Sequence, residues 1–389
     1  MEEVVIISAA RTPIGKLNGQ LASFSAVDLG TIAANHVIKQ VPTIKKDIDQ
    51  VIFGNAIQAG NGQNVARQIE IGAGIDTEST AYTVNQVCGS GLKAVQQAVN
   101  ELKLAQANVI LVGGTESMSN VPFFDRSQRR GHKYGSIMME DGIQSDGLMD
   151  VYSNQLMGIT GENVAKKFNV TRQQQDQFAL NSQQKALKAT QSGAFNDEII
   201  PINLPDGNVM TQDEAIRANT NLEKLAKLKP VFTADGSVTA GNAPGLNDGA
   251  TALILTTASY AQAHNLKPLA KITGYAERGI DPSIMGYAPY YAVNKLLHQI
   301  NTTIDAIDLF EINEAFASQS IAVSRDLQIP ANKLNINGGA IALGHPLADS
   351  GARILTTLMY SLIHTQQNKG IATLCMGGGI GAAMAIEII

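Results

Sequence analysis

The sequence predicts a layered α/β protein carrying a loop-rich insertion, and three observations lead there: alternating strand and helix patterns, a change of texture mid-chain, and a composition suited to large buried interiors. The chain has 389 residues, 44% hydrophobic and 16% charged, with 36 glycines. That length exceeds what one small core organises, so two or three domains are expected. The profile is far from disordered, collagenous or coiled-coil compositions.

Val4 to Ser8, Val51 to Phe53 and Val109 to Val112 are short β-branched runs bounded by glycine or small residues, with a helical pattern at Ser25 to Ile38 between them. Strand and helix in alternation imply an α/β layer. From Met118 to Pro244 arginine, glutamine and methionine replace the buried-strand runs, apart from helical stretches near Gly161 to Phe168 and Arg172 to Ser192. This segment reads as an inserted, loop-rich domain. Strand patterns return at Ala250 to Thr256, Ala270 to Tyr275, Leu309 to Ile312 and Leu334 to Ile336, and Gly370 to Ile389 reads as two buried strands around a turn. Asn85 to Glu116 and Asn337 to Ile386 both run from Asn and small residues into a helix and then a β-run with glycines. This weak echo points to duplication without a strict repeat.

A net charge of -5 argues against a nucleic-acid binder that lives on phosphate neutralisation. The N-terminus MEEVVIISAARTP lacks the basic start and long apolar core of a secretory signal, so a cytoplasmic protein with two reduced cysteines is expected. The charge-free stretch Gly370 to Ile386 is glycine-rich and falls short of the ~20 apolar residues that span a bilayer. No CxxC or HExxH grouping, GxGxxG-to-helix unit or GxxxxGK[ST] loop is present, so neither a metal nor a nucleotide cofactor is expected.

Cys88 lies in VNQVCGSGLKAVQQAVNELKL, where Leu92, Val95, Val99 and Leu102 recur at helical spacing. The cysteine therefore sits at a helix start, whose unpaired amides and positive dipole end stabilise a thiolate and lower its pKa. Burial as a packing residue is the commoner role for a lone cysteine. Cys375 lies in ATLCMGGGIGAAM, a β-run breaking into glycines whose amides can face an oxyanion, though alone it is an ordinary strand end. His345 stands on a glycine-flanked turn in NGGAIALGHPLADSGARILTTL, before a helix. Asn313, in LFEINEAFASQS, lies between a strand and a helix, as an N-cap or a side-chain donor.

Taken together, ISAARTPIGK, NQVCGSGLKA, GGTESMS, MGITGENVAKKFNVTRQQQDQFALNSQQKA, DGSVTAGNAPGLNDGA, NEAFA, NGGAIALGHPL and CMGGGIGAAM resemble the thiolase family over essentially the whole chain. The loop RRGHKYGSIMMEDGIQSDGLMD and the segment DPSIMG bring it nearest the biosynthetic branch. The resemblance implies duplicated α/β/α layered halves with mixed sheets: an N-terminal domain over 1–117 and 247–267, a CoA-binding loop domain over 118–246, and a C-terminal domain over 268–389. It implies an acetyl-CoA C-acetyltransferase that reversibly condenses two acetyl-CoA into acetoacetyl-CoA and CoA. It further implies that these thioesters are substrates, that no cofactor is needed, and that the assembly is a homotetramer or homodimer. The resemblance assigns Cys88 the acyl group and His345 the acceptance of its proton. It assigns Cys375 the removal of the α-proton of acetyl-CoA, His345 with a water on Asn313 the holding of the enolate oxygen, and the amides of Cys88 and Gly377 the oxyanion hole. Leu148, Met285 and Phe316 match acyl-pocket positions, and Arg217 and Ala240 match CoA contacts.

The chain departs from the family pattern after GHP, where it reads Leu347, Ala348, Asp349, Ser350. An acid so near His345 in sequence is expected to favour imidazolium and impair proton acceptance. Leu156 stands for a histidine and Pro244 for a serine, with the expected loss of two pantetheine contacts. Two other readings follow: a degradative 3-ketoacyl-CoA thiolase of broader chain length, and a non-catalytic acyl-CoA-binding homologue. A ketoacyl synthase shares the Cys, His and Asn logic but is disfavoured by Cys375 and CMGGG.

Overall fold

The computed structural model describes residues 2–389. Nine strands dominate it: β1 (Val4–Arg11), β2 (Gln50–Gly54), β3 (Thr80–Val84), β4 (Val109–Ser117), β5 (Asn247–Thr257), β6 (Ala270–Gly279), β7 (Leu309–Ile312), β8 (Lys369–Met376) and β9 (Ile380–Ile388). They lie side by side in the order β7-β8-β9-β6-β1-β5-β4-β2-β3, and Gly15–Lys16 adds a tenth strand to β5. β1 is buried at all of its positions, as its apolar and small-residue run up to Arg11 requires.

The sheet contains the duplication hinted at in the sequence. In the N-terminal half β3, β2 and β4 are parallel, then β5 and β1 follow antiparallel. In the C-terminal half a bridge at Leu334 and strands β7 and β8 are parallel, then β9 and β6 follow antiparallel. The halves are not separate sheets. They join where Val4–Ile6 of β1 pairs with Ala270–Ile272 of β6. Leu334 to Ile336 does not form the predicted strand beyond that bridge. Asn335 has φ of 40°, a left-handed conformation that breaks an extended run, and its side chain is bonded to Ile312 and Glu314.

Eight α-helices of eight or more residues complete the halves and the insertion among the described residues: α1 (Ala26–Gln40), α2 (Val65–Gly72), α3 (Ser90–Lys103), α4 (Gly158–Lys167), α5 (Arg172–Ser192), α6 (Ala288–Gln299), α7 (Ala317–Asp326) and α8 (Ser350–Thr365). Capping boxes start α1 at Ser25 with Asp28 and α5 at Thr171 with Gln174, and left-handed Gly193 ends α5. α3 and α8 share one apolar core with strand residues of both halves, including Ile52, Val112, Leu374 and Met384. α1 and α2 cover the other face of the N-terminal strands, while α6 and α7 cover that of the C-terminal strands. The central pair thus lies between two strand layers, with helices outside each.

Residues 118–246 hold α4, α5 and three two-stranded pieces, such as Met149–Asp150 with Gln155–Leu156. Fully buried Arg11 on β1 fastens this segment, with its guanidinium 2.7 Å from both Glu198 and Asp213. A buried charge is tolerable only with such pairing. No helix among the described residues is long and apolar enough to cross a membrane.

Candidate active site

The two central helices begin next to each other. The amide of Gly91 donates to Ala348 O at 2.9 Å, and a Cβ on Gly351 would lie 2.6 Å from Leu92 N, so glycine permits this approach. Cys88 and His345 precede these two helix starts, and both line one cavity of about 210 Å³. Gly377, Leu148, Met285 and Phe316 line it as well. Leu156, Met157, Phe232, Pro244 and Leu347 make the rest of its wall largely apolar. Cys375, at the end of β8, is fully buried in contact with the group Val238, Met285, Ala315 and Phe316, behind that wall. Arg217 and Ala240 lie outside the cavity lining, where the Arg217 guanidinium donates to Ala240 O at 3.3 Å on the surface.

Burial pushes the Cys88 thiol up to about 12, although the amides of Gly377 and of Cys88 itself pull in the opposite direction. The expected lowering by the helix start is therefore overturned. Desolvation of a thiolate outweighs the helix end and the two amides. Burial likewise pushes Cys375 well above the ordinary thiol range, and neighbouring Cys88 adds to the effect.

His345 moves oppositely, down to about 3, because burial and then the Arg353 guanidinium disfavour the imidazolium. The expectation for Asp349 fails on geometry. Its carboxyl turns to the strand side, with Oδ2 against Gly249 of β5, and burial holds it up at about 7. Although Asp349 is the N-cap residue of α8, its side chain makes no capping hydrogen bond, and it is not among the causes of the His345 shift.

The ring of His345 is held at both nitrogens: Nδ1 is 2.5 Å from Ser350 Oγ, and Nε2 is 3.5 Å from Asn313 Nδ2. Its backbone amide donates to Asn247 Oδ1 at 2.9 Å. Gly344, at φ of 117°, leaves room for Asn247, which a Cβ would strike at 2.6 Å. Asn313 is fully buried with its Oδ1 unpartnered. Glu116 is fully buried too, and its two oxygens accept from the amides of Ala56, Ile57 and Ala348 and from Asn55 Nδ2. It ties the turn after His345 to the end of β2. Sequence reasoning passed over Asn247, Ser350 and Glu116, since their partners lie on other elements or carry no motif of their own. Among the described residues no cluster of His, Cys, Asp and Glu has the arrangement of a metal site.

Comparisons with known proteins agree with this architecture. The model of the thiolase N-terminal domain matches residues 4–259, and that of the thiolase C-terminal domain matches residues 266–388. A probable acetyl-CoA acyltransferase of Staphylococcus aureus (strain COL) is 45% identical over 100% of this chain and 99% of its own length. Among solved structures, the Bacillus anthracis acetyl-CoA acetyltransferase superposes with a TM-score of 0.98 at 40% identity, covering 100% of this chain and 99% of that one. Human mitochondrial 3-ketoacyl-CoA thiolase superposes at 0.97 with 41% identity over 100% and 99%. Fold and relatives together define an acyltransferase. The chain belongs to the thiolase family.

Proposed function

We propose that this acyltransferase is an acetyl-CoA C-acetyltransferase, condensing two acetyl-CoA to acetoacetyl-CoA and CoA through an acyl group on Cys88. One observation carries the reading: Cys88, His345 and Gly377 meet on one apolar cavity with a second buried thiol, Cys375, beside Cys88. At neutral pH the resting pair is a thiol and a neutral imidazole. His345 Nε2 takes the Cys88 proton as the sulfur attacks the thioester carbonyl, and the amides of Cys88 and Gly377 receive the oxyanion. The departing CoA thiolate takes the proton of Cys375 and leaves as the thiol. The Cys375 thiolate then removes the α-proton of the second acetyl-CoA, and its burial keeps it strongly basic. The imidazolium of His345 and a water on Asn313 hold the enolate oxygen. As the enolate carbon attacks acyl-Cys88, the released thiolate recovers its proton from His345, and every group is restored.

Cleavage of acetoacetyl-CoA by purified protein, dependent on added CoA, is the expected outcome. Its absence with Cys88 reduced sinks the reading. Cys88→Ala should abolish acyl transfer to the protein, read by mass spectrometry, with an unchanged circular dichroism spectrum. A second reading, a 3-ketoacyl-CoA thiolase of broader chain length, is favoured by the apolar wall of Leu148, Leu156, Met157, Phe232 and Pro244. Comparing kcat/KM across 3-ketoacyl-CoA substrates from four to twelve acyl carbons separates the two: a peak at four supports the first, a plateau toward longer chains the second.

A further inference from the structure

Eleven described residues other than glycine have positive φ, and seven of them are asparagine, the side chain that best tolerates the left-handed region. Val87 is the one β-branched residue among the eleven, with φ of 50°. Its two γ-methyl groups make that backbone conformation costly, so the surroundings must impose it. It immediately precedes Cys88 and lines the same cavity.

The imposition is visible in the hydrogen bonds of the turn. Asn85 Oδ1 accepts from the Val87 amide at 3.0 Å, while Asn85 Nδ2 donates to Ala56 O at 3.0 Å and anchors the turn to the end of β2. The Ser90 hydroxyl donates to Val87 O at 2.6 Å and accepts from the Gln86 amide at 2.9 Å. The Gly89 and Ser90 amides close the turn onto Gln86 O and Val87 O at 3.0 and 3.2 Å. A Cβ on Gly377 would meet the Val87 γ-carbons at 3.5 and 3.7 Å, so the side chain lies directly beside the Gly377 turn, whose amide points at the Cys88 sulfur.

We infer that Val87 is a positioning residue, held in a strained left-handed turn so that the Cys88 sulfur and the amides of Cys88 and Gly377 are fixed in one arrangement before substrate arrives. Asparagine or glycine fits the same turn without strain but also leaves it free to relax. The geometry thus trades stability of the turn for aim of the nucleophile. This inference rests on Cys88 being the acylated residue.

The test compares Val87→Gly, Val87→Asn and Val87→Thr with wild type, reading three quantities: melting temperature, KM for acetyl-CoA, and the single-turnover rate of Cys88 acetylation by mass spectrometry. Relaxed variants, Gly and Asn, should keep or raise the melting temperature and keep KM, while acetylation slows by about tenfold or more, the scale expected from a displaced reacting atom. Val87→Thr, which retains the β-branch, should recover most of the lost rate. Acetylation within about twofold of wild type in both relaxed variants overturns the inference. So does a parallel loss of melting temperature and rate in both, which makes Val87 a packing residue. Wild-type protein that is not acetylated on Cys88 at all refutes the nucleophile assignment instead, so the two failures are distinct.

Discussion

The hydroxyl of Ser350 has one proton, and Pro346 O stands 3.0 Å away to receive it, so Ser350 Oγ meets His345 Nδ1 as an acceptor. Nδ1 therefore carries the ring proton, leaving the Nε2 lone pair toward Asn313 and the cavity, where the proposed reaction calls for a base for Cys88. Ser350→Ala removes this control without touching the thiol. We expect kcat to fall roughly tenfold to a hundredfold with little change in KM, because the ring is then free to carry its proton on Nε2, the wrong nitrogen for a base, and loses the tether that aims it. An unchanged kcat refutes this account of the tautomer. At this scale the sequence was legible where the chemistry lies in one motif, as for Cys88 and His345, which do share the cavity. It was misleading where sequence distance stood in for spatial distance. Asp349 is four residues from His345, yet the turn into α8 sends its carboxyl toward β5. The sign of the Cys88 shift was also misread, because a helix end can be seen in sequence whereas the depth of burial cannot.

Helices α3 and α8 bring the two motifs together, and their contact leaves no room for adjustment at Gly351. A Cβ there meets Leu92 N at 2.6 Å and Leu92 Cα at 3.2 Å, both backbone or backbone-attached atoms of a helix that cannot rotate away. Gly351→Ala is expected to destabilise the fold by about 1–3 kcal/mol, the usual cost of overpacking, measurable as a lower urea midpoint. It should also depress turnover more than it raises KM, since forcing the helix starts apart separates Cys88 from His345. A variant with wild-type midpoint and turnover shows that the helices can shift after all. The long elements were readable: α5 occupies the very stretch, Arg172 to Ser192, given by its periodicity. Short ones were not. β3, reading TAYTV, has no full apolar run because its side chains are only partly buried or exposed, and Leu334 to Ile336 looked like a strand until the left-handed Asn335 intervened. Periodicity reports burial, and elements with half-covered faces leave a weak trace.

Across the whole molecule, duplication has placed charged groups in the layer between the strand sets, and their titration links stability to pH. Burial pushes Glu116 and Asp349 up to about 7 and Glu311 up to about 8. Each keeps its proton in the folded state at pH values where the unfolded chain, near its ordinary carboxyl range, has lost it. The folded state thus binds more protons, and stability declines as pH rises from the unfolded pKa to the folded one. His345 acts oppositely, since its depressed folded pKa adds stability as pH rises, but that gain is complete once pH passes its ordinary value of 6.5. Between about pH 6.5 and 8 the carboxyls dominate the balance, so the melting temperature should fall across that window, by up to about 1.4 kcal/mol of stability per pH unit for each proton released. Asp349→Asn tests one of these protons. The amide cannot ionise, and its oxygen can still accept from the Thr251 hydroxyl that faces the carboxyl. The variant should match wild type near the ordinary carboxyl value of 3.8, gain on it as pH rises to about 7, hold that advantage at higher pH, and retain turnover because Asp349 does not face His345. Parallel melting curves for the two proteins between about pH 4 and 7 would mean that Arg353 and Arg11 already hold Asp349 ionised in the folded state, and would return it to the role of a permanent negative charge in the core.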